Sequence, residues 1–166
     1  MTVDRRAFVK GLAAAGATGI ASPGALFGQE GPIPGTDVPR RPMGKTGLQV
    51  SVIGLGGYHL GSAKDQATAN DIVAHAIDAG INFFDNAWDY HDGLSETRLG
   101  EALQGKRDKV ILMTKVCTHG RDAKVAMQML DESLRRLRTD HLDVWQIHEV
   151  IYDNDPDLIF APGGAA

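Results

Sequence analysis

The sequence predicts an α/β fold of parallel strands and helical crossovers behind a short hairpin. Three observations carry that reading. Short apolar runs alternate with helical stretches about every 30 residues, as βαβ units require. Four such units follow one another from residue 52 onward. Three of the apolar runs end on a polar residue, Asp85, Lys115 and His148.

The elements can be justified in order. Residues 43–50 carry turn formers at their centre and read as a hairpin. Residues 52–56 are a short apolar strand. Residues 65–79 place Ala69, Ile72, Val73, Ala76 and Ile77 at helical spacing, and Gly80 stops the helix. Residues 81–85 are a strand, and 95–104 a helix with Ser95 as its expected N-cap. Residues 110–115 are a strand. Residues 121–138 are a long helix with Ala126, Leu130, Leu134 and Leu137 inward. Asp131 with Arg135 and Glu132 with Arg136 are expected as solvent-side pairs. Residues 142–148 are a strand. Asp155 and Pro156 open a further helix that is expected to run on to the end of the sequence.

What precedes the fold reads differently. Arg5-Arg6, then Phe8 and Lys10, then a Gly/Ala-rich run resemble a twin-arginine export signal over residues 1–30. The signal's pattern is Ser/Thr-Arg-Arg-x-Phe-Leu-Lys; Asp4 and Val9 depart from it. The resemblance implies recognition by the twin-arginine machinery and a periplasmic location. The apolar run is too short and glycine-rich to span a bilayer, and no cysteine follows it, so no membrane anchor is expected in the mature form. Residues 31–42 hold four prolines and read as a linker, leaving 43–166 as the folded domain. The net charge of −4 argues against a nucleic-acid partner. One cysteine, Cys117, excludes a disulfide framework within the chain.

Parallel βα units build either an open doubly wound sheet or a closed (β/α)8 barrel. A dinucleotide-binding open sheet would carry G-x-G-x-x-G after its first strand, and Gly54, Gly56, Gly57 and Gly61 have the wrong spacing. Strand parity puts Phe83 with Asp85, Met113 with Lys115, and Gln146 with His148 on one face. An acid, an ammonium and an imidazole then meet at one carboxyl rim, where barrel enzymes keep their chemistry. Tyr90, five residues past Asp85, can lean over the same mouth. A full barrel needs about 250 residues, so the chain is either a half-barrel or closes some other way.

These residues resemble the aldo/keto reductases. Asp85-Asn86-Ala87-Trp88-Asp89-Tyr90 is similar to that family's D-x-A-x-x-Y motif, and Thr114-Lys115 and Gln146-Ile147-His148-Glu149 to its lysine and histidine strand ends. Residues 80–85, Gly93-Leu94-Ser95-Glu96 and Gly54-Leu55-Gly56-Gly57-Tyr58 are similar too. The resemblance covers about residues 40–160. It implies the N-terminal half of a (β/α)8 TIM barrel with an N-terminal β-hairpin, and NADP(H)-dependent carbonyl reduction, or the reverse alcohol oxidation, on a small molecule. It assigns catalysis to Asp85, Tyr90, Lys115 and His148. Tyr90 would donate the proton, with Lys115 as its assisting charge. Asp85 would hold Lys115, and His148 would orient the substrate oxygen. Gly56, Gly57, Tyr58 and Asp85 would lie along the nicotinamide and its ribose.

Other candidates carry less. His59, His75, His91, His119 and His141 show no metal-ligand spacing, so no metal is expected. His59 and His91 fall in loops that could line the substrate mouth. Cys117, Trp88 and Trp145 read as packing residues. In the family, the second half of the barrel carries most of the cofactor grip, so the chain reads as a fragment with its inward face, including Phe83, Met113 and Val144, open to water. The alternative is a non-catalytic barrel-derived module that binds a nucleotide or a partner, as some relatives do as channel subunits.

Overall fold

The computed structural model describes residues 38–117 and 121–166. The expected leader at 1–30, linker residues 31–37 and His119 lie outside the described residues. Among the described residues, no helix is long and apolar enough to cross a membrane.

The hairpin pairs β1 (Arg40–Pro42) with β2 (Gln49–Ser51), Arg40 opposite Ser51. The turn formers fill the connection between the strands, and β1 takes residues 40–42 from the expected linker, because they pair with β2 across that turn. Gly44 and Gly47 take φ of +57° and +85° there, which few side chains tolerate. Asn82 ties the hairpin to the amino end of the sheet. Its Oδ1 accepts from Ser51 N at 2.7 Å, and its Nδ2 donates to the Gln49 carbonyl at 2.9 Å.

The sheet runs β3 (Gly54–Gly56), β4 (Phe83–Asp85), β5 (Ile111–Val116) and β6 (Val144–Ile147), all parallel and in chain order. Helices follow the strands: α1 (Gly57–Gly61), α2 (Gln66–Asp78), α3 (Leu94–Ala102), α4 (Ala123–Arg136) and α5 (Asp155–Phe160). This is a partial (β/α) barrel, as expected. The sequence reading missed α1, whose glycine-rich Gly57-Tyr58-His59-Leu60-Gly61 carries no helical periodicity.

The core lies between the sheet and its helices. Phe84 and Leu112 on the outer sheet face cluster with Val73, Leu99 and Leu137, and Thr114 and Val116 on the same face are buried as well. The opposite, concave face carries Phe83, Asp85, Met113, Lys115, Val144 and Gln146, which the register sets side by side. Phe83 and Val144 are half-buried, but Met113 is only 7% exposed, shielded between its register partners Asp85 and Val144. An open cleft of about 730 Å³ extends over this face from Arg41 and Val52 to Gly56 and Asp85.

Three local expectations are corrected. Gly93, not Ser95, caps α3; Ser95 is fully buried inside the helix and donates to the Gly57 carbonyl at 2.6 Å, binding α3 to α1. Arg136 pairs with Glu132 at 3.3 Å but is not on the solvent side. It also reaches Glu96 at 3.3 Å and the Trp88 carbonyl at 2.9 Å. The last helix ends at Phe160, before Pro162, and Gly164 bridges back to Asp122. The capping of α2 by Asp65, which accepts from Thr68 N at 2.8 Å, follows the expected start.

Candidate functional site

Three consecutive strand ends build the site, and the backbone ladder continues past each. Asn86 N donates to the Met113 carbonyl at 2.9 Å, Trp88 N to Lys115 at 3.0 Å, and His148 N to Val116 at 2.8 Å. The segment after β4 is therefore laid along β5 before it turns. Tyr90–Gly93 then forms a tight 3-10 turn, in which His91 and Asp92 hold φ of 53° and 55°.

Lys115 is the hub. Its side chain is 9% exposed, and burying an ammonium demands partners. Nζ donates to Asp85 Oδ1, to the Asn86 carbonyl at 2.9 Å and to Tyr90 Oη at 3.4 Å. It also lies 5.0 Å from the centroid of the Tyr90 ring. The His148 ring meets Tyr90 edge-on at 5.7 Å, and Tyr58 meets Tyr90 from another side at 5.4 Å. The four residues expected at the rim are thus brought together. The assembly can hold a charged ammonium against a phenol, beside an imidazole that can bond the same small ligand.

The residues expected along a nicotinamide occupy two environments. Gly56 sits open on the concave face, and a Cβ there would meet nothing within 4 Å. Gly57 is buried, and a Cβ there would come within 2.5 Å of the Asn86 side chain, so packing alone requires its glycine. Tyr58 is 55% exposed at the rim. Asp85 is 37% exposed, leaving carboxylate surface for a ribose hydroxyl. These features fit the nicotinamide–ribose end of a dinucleotide. His59 is exposed, whereas His91 bonds the Tyr58 carbonyl at 2.8 Å and packs on its ring. Trp88 donates to Glu132 at 2.9 Å under the Arg136 guanidinium, and Trp145 packs against the core.

Sequence reasoning missed the support behind His148. Arg121 is 5% exposed and reaches the His148 carbonyl at 2.9 Å and the Glu149 carbonyl at 2.5 Å. Asp155 holds its guanidinium at two points, 3.1 and 2.9 Å, and also accepts from the Ile151 and Tyr152 amides. Arg121 beside it holds the Asp155 carboxyl well below the usual carboxylate range. No spacing signalled this pair, since both partners look like ordinary helix-start residues. Cys117 is buried, and burial together with the charge of Asp89 pushes its thiol up to about 11.

A four-stranded parallel βα sheet with an acid, a lysine, a tyrosine and a histidine at its carboxyl rim defines part of a (β/α) barrel. The aldo/keto reductase family matches residues 52–161, and the chain belongs to that family. It is 34% identical over 133 residues to the uncharacterized oxidoreductase YqkF of Bacillus subtilis (strain 168), covering 74% of this chain and 43% of that protein. Among solved structures it resembles the holo form of aldo-keto reductase AKR11C1 from Bacillus halodurans. There the TM-score is 0.65 at 33% identity, over 74% of this chain and 44% of that one. A Klebsiella pneumoniae aldo/keto reductase in complex with NADP and acetate matches with TM-score 0.54 at 35% identity, over 60% of this chain and 36% of its own. The chain thus spans about two fifths of the length of the curated relatives it matches.

Proposed function

We propose that this chain carries the catalytic rim of an NADP(H)-dependent carbonyl reductase, working on a small carbonyl or alcohol. The observation that supports it best is Lys115 Nζ, shared between the Asp85 carboxylate and Tyr90 Oη. The relative solved with NADP supports the cofactor. Bound NADP(H) supplies hydride to the carbonyl carbon, or accepts it in reverse. Asp85 and the open backbone at Gly56 would hold its nicotinamide–ribose end.

The remaining chemistry falls to the chain's own groups. Tyr90 Oη gives its proton to the carbonyl oxygen as negative charge develops there. The Lys115 ammonium then faces the phenolate oxygen left behind and stabilises it. Asp85 and the Asn86 carbonyl hold that ammonium in place, so little reorganisation accompanies proton transfer. His148 hydrogen-bonds the same substrate oxygen and sets its approach to Tyr90.

The test is Tyr90→Phe in a chimera that completes the barrel with the carboxyl-terminal part of a full-length relative. Aldehyde reduction should fall about 10²-fold or more, with NADPH affinity nearly unchanged. Turnover equal to that of the unmutated chimera would overturn the reading and favour a binding module. The 166-residue chain alone should show no NADPH-dependent turnover, because four strands do not close an eight-stranded barrel. We further propose that residues 1–30 direct twin-arginine export to the periplasm. Changing Arg5 and Arg6 to Lys should leave a tagged precursor in the cytosol; normal delivery would count against it.

A further inference from the structure

We propose that Asp89, Cys117 and His148 form a binding site for a thiophilic divalent cation of the zinc class. The three residues come from separate βα units. Asp89 lies in the loop after β4, Cys117 directly after β5 and His148 directly after β6. Each offers one ligand atom, and these atoms all lie within 4.8 Å of one another. Ligands one βα unit apart leave no short spacing motif, so the histidine pattern of the sequence gave no hint of them.

Two polar atoms of this cluster lack a hydrogen-bond partner. Asp89 Oδ1 and His148 Nδ1 are buried atoms without a hydrogen-bond partner. They stand 3.4 Å apart, an ion pair when the imidazole is protonated, but without hydrogen-bond geometry. A buried acceptor left unmatched is costly, and a cation between the two would match both. The separation suits one: Zn²⁺ with bonds of about 2.0–2.3 Å has tetrahedral edges of about 3.3–3.8 Å. The widest pair, within 4.8 Å, must close by no more than about 1 Å.

The charges agree. Asp89 and a Cys117 thiolate together balance a divalent ion. The nearby cation, Arg121, is committed to Asp155. The thiol must lose its proton to bind. Cys117 Sγ already points that proton at Glu149 Oε2, 3.5 Å away, and Glu149 is exposed. A thiolate, an imidazole and a carboxylate leave a fourth tetrahedral position open. His148 is shared with the proposed reaction, but the inference rests on ligand geometry and not on that reaction.

The probe is Co²⁺, added to the full chain reduced and freed of metal by a chelator. One equivalent should give thiolate-to-cobalt absorption in the near ultraviolet together with tetrahedral visible bands, and Zn²⁺ should abolish both. Cys117→Ser should lose the near-ultraviolet band. Asp89→Asn, at a side chain one third exposed, should weaken Co²⁺ binding about tenfold or more. His141→Ala, at an exposed histidine beside Asp140, should change neither. The proposal is overturned if the unmutated chain shows no near-ultraviolet band, or if Asp89→Asn binds with unaltered affinity. If Cys117→Ser does not fold, the Asp89→Asn titration decides alone.

Discussion

Glu96 tests how the helical layer is held. It is fully buried on α3, its Oε1 accepts from Thr114 Oγ1 on β5 at 2.7 Å, and its Oε2 accepts from Arg136 Nη1 on α4 at 3.3 Å. Glu96→Ala strands the hydroxyl of Thr114, itself fully buried, at a cost of about 1–3 kcal/mol. It also removes one partner of Arg136. That side chain is 24% exposed and keeps Glu132 and the Trp88 carbonyl, so the loss stays below the cost of stranding a buried charge. Together these give about 2–4 kcal/mol. Glu96→Gln keeps an acceptor for Thr114 and should cost about 1 kcal/mol or less. The two variants also differ in pH dependence. Burial raises the Glu96 carboxyl above its ordinary 4.5, against hydrogen bonds from Thr114, Ser133 and Arg136. The folded state then holds the proton more tightly than the unfolded state. Stability from this group is full below 4.5 and is lost as pH rises through the raised value. Glutamine lacks that decline. Urea unfolding followed by Trp88 and Trp145 fluorescence at several pH values measures both effects. Equal losses for Ala and Gln, or identical pH profiles for Gln and the unmutated chain, would refute the reasoning.

Gly57→Ala should cost about 1–3 kcal/mol by overpacking, since its Cβ would press on the side chain of Asn86, the residue whose backbone carbonyl anchors Lys115. Gly56→Ala, with open space around it, should cost far less, and thermal melts of the two compare them directly. Asp155 is held below its ordinary value of 3.8 by Arg121 and by the Tyr152 amide. Its contribution is present above that value and lost as pH falls through the lower folded one. Asp155→Asn should therefore unfold more readily at neutral pH and lose part of the acid sensitivity, as acid titration by circular dichroism would show.

Strand parity was legible because it depends only on counting. Phe83, Asp85, Met113 and Lys115 alternate with core residues, so the concave face could be written down from the sequence. Asp65 and Gly80 bounded α2 for equally local reasons. What could not be read depends on partners far along the chain. Ser95 looks like a cap until Gly57 approaches it, and Arg136 looks solvated until Glu96 and the Trp88 carbonyl reach it. The hold of Arg121 on His148 and Glu149 depends likewise on Asp155, more than thirty residues away.

The parallel ladder has one more consequence. Lys115 is placed by its register against Gln146, and side chains alternate faces at every step. A one-residue slip of β5 would turn the ammonium into the helical layer and bring Thr114 or Val116 to the rim. The lysine therefore has discrete positions and no graded ones. The phenol has a different freedom, because Tyr90 rides on a turn beyond the ladder. Residues 90–93 are where the gap between ammonium and phenol can be set finely, and there substitution can retune reactivity without disturbing the sheet.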